Sequence, residues 1–186
     1  MLEKIASYNL QPGEFNTALQ NQSLINQYPV GSKMAIEDQD LYLTEIFCWI
    51  MRNPTNSLGY AQYGLDLYTA LQNTQIESFD EMCIQYTDSE DSIFEQYPPI
   101  ALEKIDFTKF TDAQLSQKSE ALSWAEKSAS DYDLIFEKIN ALMVEVLRWI
   151  NDQPDNGFAY AQYAVSVCEI FHRSYTVLFM DEFKRF

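Results

Sequence analysis

Glu45 and Glu145 are the first residues in this sequence whose type and spacing could do chemistry. They stand in matching contexts, Glu45-Ile-Phe-Cys-Trp49 and Glu145-Val-Leu-Arg-Trp149. A spacing of four is one helical turn, so each carboxylate shares a helix face with an indole. Paired carboxylates can act as acid and base or hold a hard cation, although a glutamate in a helix is more commonly solvated or bonded to a neighbour. Nothing in the sequence supplies the perturbed environment that catalysis by such a pair requires. Gln62 and Gln162 raise a similar question, because each amide stands in the segment Tyr-Ala-Gln-Tyr. Either each satisfies loose backbone groups at its own turn, or Glu45, Tyr60, Gln62, Glu145, Tyr160 and Gln162 line one shared pocket.

His172 is the only histidine, and Glu169-Ile-Phe-His172 matches the Glu-x-x-His element of helical di-iron proteins. That chemistry needs a second such element, and the residue 100 positions earlier is Gln72. Cys48, Cys83 and Cys168 are odd in number and have no Cys-x-x-Cys spacing, which argues against a disulfide framework and a thiolate zinc site. They point to a reducing, cytoplasmic setting. No Gly-x-Ser-x-Gly elbow occurs, and the five glycines form no phosphate loop. The reading is therefore not an enzyme, with no catalytic set, no metal and no cofactor expected.

The elements that hold these residues are duplicated. Between 45–63 and 145–163, 9 of 19 positions are identical at a constant offset of 100. Random pairing would give roughly one. Each copy reads as helix, tight turn, helix. Ile135, Ile139, Leu142, Val146 and Ile150 form one apolar stripe, and Leu43, Ile46, Phe47 and Ile50 form the other. The turns are Asn53-Pro-Thr-Asn56 and Pro154-Asp-Asn-Gly157. Ala61 with Gly64, and Ala161 with Ala164, are small pairs that let two helices approach closely.

The expected fold is a single all-α domain over 1–186, with about six to seven helices. Two repeated αα-hairpins, 35–75 and 135–175, are expected to pack across an approximate twofold, with an acidic connection at 76–110. Trp49, Trp149, Ile50, Ile150, Ala61 and Ala161 should lie in the core. A helix is expected from Gly13 to Gln27, another from Asp112 to Ser128, and the tail should extend the last helix.

Charge gives the functional direction. The 12 basic residues face 28 acidic ones, for a net charge of −16. That balance disfavours direct nucleic-acid binding and docking on an anionic membrane. No apolar run reaches the length of a membrane span, and the first residues have no signal-peptide core. From Met34 to Glu103 there are thirteen acidic residues and one cation, Arg52, a net of −12. The densest part mixes acids with rings: Glu77, Asp80, Glu81, Tyr86, Asp88, Glu90, Asp91, Phe94 and Glu95. A solvated face has little use for so many rings, whereas an interface for a basic protein uses aromatics for contact and carboxylates for steering.

The expected function is therefore an acidic inhibitor that occludes a basic partner. That partner would be a toxin or a nucleic-acid-binding enzyme, as for bacterial immunity proteins or phage-type anti-defence inhibitors. A helical small-molecule- or metal-binding protein, an enzyme included, with its pocket at the pseudo-twofold between the repeats, is one alternative. A scaffold or assembly subunit is another. Oligomeric state is not readable.

Overall fold

Apolar side chains recurring every three or four positions build four long helices, and these helices form the core. The structure is a computed structural model describing residues 2–27, 36–72, 102–118 and 132–183. All regular elements among the described residues are helical: α1 (Leu2–Ser7), α2 (Pro12–Gln27), α3 (Ile36–Arg52) and α4 (Ser57–Gln72), then α5 (112–118), α6 (Tyr132–Asp152) and α7 (Gly157–Phe183). The all-α expectation holds, and the last helix runs into the tail as expected. Short 3-10 turns occupy Leu102–Lys104 and Phe107–Lys109. The proposed binding segment from Glu77 to Glu95 lies outside the described residues, as does most of the connection. No helix among the described residues is long and apolar enough to cross a membrane.

Helices α3 and α4 form one hairpin, and α6 and α7 form the other. Across the core α3 packs on α7, α4 on α6, and α3 on α6. Each hairpin's first helix thus lies on the other's second. Trp49, Ile50, Ala61, Ile150 and Ala161 are essentially sealed from solvent, and Trp149 is 6% exposed. Burying such side chains stabilises the domain by about 1.5–3 kcal/mol each before entropy is counted. Leu58 and Phe158 are large apolar residues that stay exposed, and they occupy equivalent positions.

The two turns are built alike. Asn53 and Gln153 have nearly the same backbone angles, φ −137° and −136°. Each precedes a proline that opens a 3-10 turn, at Pro54 and Pro154. Proline suits this place because its φ is preset and it has no N–H to satisfy. Ser57 and Gly157 then start α4 and α7 and meet face to face. A methyl group built on Gly157 would lie 2.4 Å from Ser57 Oγ.

One further stretch of sequence recurs outside 35–75 and 135–175. Leu2-Glu3-Lys4-Ile5 recurs unchanged as Leu102-Glu103-Lys104-Ile105 at the same offset. Ile5 and Ile105 are both 5% exposed and join the core. Helices α2 and α5 begin at positions 12 and 112, again 100 apart.

Candidate functional site: a carboxylate cleft in the first repeat

The polar residues retained between the copies turn out to fasten each hairpin turn to the segment preceding it. Asn56 Nδ2 donates to the carbonyls of Tyr8 (3.1 Å) and Asn9 (2.9 Å). Asn156 Nδ2 donates to the carbonyl of Lys109 (3.3 Å) and to Gln153 Oε1 (3.0 Å). In the first copy this segment sits directly on α4. A methyl group at Gly59 would lie 2.3 Å from the Tyr8 carbonyl oxygen, so only glycine permits the approach. Asn9 takes a positive φ of 56°, which asparagine tolerates better than most residues. The second copy carries Ala159 instead, and the Tyr160 hydroxyl reaches the Lys109 carbonyl (3.0 Å).

Each copy also caps the helix that precedes its hairpin with a side chain three residues in. Glu14 Oε2 accepts from the Gln11 backbone N–H (2.8 Å) and the Tyr60 hydroxyl (2.8 Å). Gln114 Oε1 accepts from the Thr111 backbone N–H (2.8 Å) and the Tyr160 hydroxyl (3.3 Å). Thr111 Oγ1 completes a reciprocal capping box by accepting from the Gln114 N–H (3.4 Å). The tyrosines are held from their other side by ring packing. Trp49 stacks on Tyr63 with centroids 5.7 Å apart, as Trp149 does on Tyr163 at 6.2 Å. Tyr60 and Tyr160 meet the same indoles edge-on.

This arrangement accounts for the sequence candidates one by one. Tyr60 and Tyr160 are fully buried, and each hydroxyl is engaged inside its own copy. Gln62 is exposed and Gln162 is 9% exposed, and the turns are served by the asparagines rather than by these glutamines. Glu145 accepts from its own Trp149 indole N–H (3.1 Å), and the Trp49 indole lies close enough to Glu45 to favour its charged form. The six residues thus divide by copy into two clusters. The shared pocket expected at the pseudo-twofold is replaced by two hairpin-end assemblies, because each tyrosine finds its partner in the segment before its own hairpin. No group of three or more metal-ligating side chains occurs among the described residues.

One open cleft does carry charge. It lies between α2 and α3, has a volume of about 730 Å³, and is lined by Gln11, Gly13, Glu14, Thr17, Glu45, Trp49, Arg52 and Asn53. Glu14 is only 8% exposed, and both of its hydrogen bonds fall on Oε2. Its Oε1 therefore has no partner among the described residues. Burial pushes the Glu45 carboxyl above its ordinary value; the Trp49 indole and Arg52 oppose this shift and Glu14 adds to it. Arg52 is exposed and sits on the rim. In the second copy the counterpart of Glu14 is neutral Gln114, and Glu145 pairs with Arg148 at 3.1 Å. The residue at the position of Arg148 in the first copy is Cys48, buried, with its thiol pushed up to about 12 by desolvation.

Glu14 was absent from the sequence candidates because its counterpart differs. The signal that could have found it is the recurrence of Leu-Glu-Lys-Ile, which places residues 11–14 in register with 111–114. No family model, curated protein or solved structure matches this chain.

Proposed function

We propose that this chain is an acidic inhibitor that neutralises a basic protein by occluding it, as an immunity protein does for a nuclease-type toxin or a phage-encoded inhibitor for a host defence enzyme. The observation that supports this reading is the confinement of a net −12, out of −16, to residues 34–103. A fold needs no such imbalance, since self-repulsion destabilises the compact state. Asn56, Asn156, Tyr60 and Tyr160 are consumed in fastening the hairpin turns, which leaves the surface to carry function. In this reading carboxylates steer a basic partner in and occupy the surface where its own anionic substrate would sit. The rings among them supply contact area. The inhibitor acts in the cytoplasm and itself binds neither nucleic acid nor membrane.

The test is capture of partners from lysate of the source cell by the intact chain and by a variant carrying Asp88→Lys, Glu90→Lys and Asp91→Lys. One basic protein retained at near-equal amount by the wild type, and lost by the variant, supports the reading. Equal retention by both, or no protein retained by either, overturns it. Release at moderate salt would mark charge mimicry as the dominant contact, and retention at high salt a packed aromatic one.

A further inference from the structure

We infer that the cleft between α2 and α3 receives one lysine or arginine side chain of the basic partner and holds its charge between Glu14 and Glu45. The inference rests on reading the chain as the ligand of a basic protein, and it supplies that reading with a defined contact.

Three observations converge. The first is the free oxygen. Glu14 is more than nine-tenths buried, lines the cleft, and spends both hydrogen bonds on Oε2, so Oε1 is an anionic acceptor without a partner among the described residues. A guest in the cleft with N–H donors would find there an anionic acceptor that no described residue engages.

The second is the comparison the chain makes with itself. Gln114 performs both structural duties of Glu14 through one amide oxygen. Capping the helix and holding the tyrosine therefore do not require a charge. The same contrast holds at the neighbouring position, where Glu145 has Arg148 to pair with and Glu45 has Cys48 in its place. The first copy thus keeps two close carboxylates, each of which the second copy either lacks or neutralises.

The third is the placement of the single positive charge. Arg52 stands on the exposed rim, one helical turn beyond Trp49, while the carboxylates lie deeper. An incoming cation meets a negative floor and must displace the influence of Arg52. This gives the proposal a sign that other ligands would not share. Removing Arg52 should tighten binding of a cation, and it should weaken binding of an anion or of a zwitterion that needs the guanidinium.

The test uses the intact, nitrogen-15-labelled chain and four probes: the N-acetyl amides of lysine, arginine, glutamine and glutamate. The reporter is the indole N–H resonance of Trp49, which lines the cleft with Glu45. The lysine or arginine probe should shift this resonance and leave that of Trp149 in place. Glu14→Gln and Glu45→Gln should each weaken binding about tenfold, the scale of one charge-assisted hydrogen bond, while Arg52→Ala tightens it. Glu14→Gln keeps the fold because Gln114 already does the same work. The proposal is overturned if neither cation shifts Trp49, if the glutamate or glutamine probe binds as well, if Trp149 responds equally, or if Arg52→Ala abolishes binding. The probes require no partner protein, so their failure leaves the charge-reversal result on residues 88–91 standing. Conversely, probe binding without any captured partner would discard the inhibitor and keep the cleft.

Discussion

Glu14 and Gln114 occupy equivalent places and receive the same two hydrogen bonds, from a helix-cap backbone N–H and from a buried tyrosine. They differ in that glutamate is an anion, whereas glutamine is neutral and carries an N–H2 donor in place of the second oxygen. Exchanging Glu14 for Gln should therefore change folding stability by less than about 0.5 kcal/mol, the usual range for changes that leave contacts intact. Glu14→Ala should cost about 1–2 kcal/mol, because a cap and a buried tyrosine partner vanish together. Urea unfolding of the two variants separates these outcomes.

The two tyrosines of the second copy should respond oppositely to loss of their hydroxyls. Tyr160 Oη lies 3.0 Å from both the Lys109 carbonyl and Gln153 Oε1, and 3.3 Å from Gln114 Oε1. Tyr160→Phe should destabilise by about 1–2 kcal/mol. The Tyr163 hydroxyl is buried with no hydrogen-bond partner among the described residues. Tyr163→Phe should be neutral or stabilising, since it removes a polar group that folding strips of water. Thermal unfolding of both variants gives the comparison.

Glu45 should make stability fall as pH rises. Burial places its folded value above its unfolded one, so between the two values the native state binds more protons than the unfolded state. Stability then declines with increasing pH across that window, which opens at the ordinary glutamate value. Glu45→Gln keeps the side chain's size and removes the titration. The variant should match the wild type at low pH and exceed it above the window, as read from Tm against pH.

Ser57 and Gly157 should be energetically coupled. A methyl group at position 157 would meet the Ser57 Oγ and Cβ at 2.4 and 2.6 Å, so Gly157→Ala should destabilise by about 1–3 kcal/mol through overpacking. Combining it with Ser57→Gly exchanges the small residue between equivalent positions, and the double variant should recover part of the loss. A double-mutant cycle measures that recovery; strict additivity would show that the contact has no energetic weight.

The hairpins were legible because their signals are local. Apolar spacing, the prolines at 54 and 154, and nine identities in nineteen residues all lie within single helices or turns. The fates of Tyr60 and Tyr160 were not, because each partner lies 46 residues upstream in a segment where identity has faded to Glu14 against Gln114. Two tyrosines flanking a glutamine suggested that the amide was the working group, whereas the structure gives that work to Asn56 and Asn156. The glutamates preceding the tryptophans were read correctly as sharing the indole face; that the Trp149 indole is itself the partner of Glu145 follows only once the rotamers are known.

The reciprocal packing of the hairpins has a kinetic consequence. Thr44 and Cys168 touch across α3 and α7 although 124 residues separate them, so neither half of the chain can finish its core by local zippering. Folding should be slower than for bundles of sequential helices, because the chain must close long loops before these contacts form. During that delay each half exposes an apolar face shaped for the other, and a second molecule offers the same face. At high concentration the halves of two chains can therefore trade places, giving a swapped dimer that contains no contact absent from the monomer.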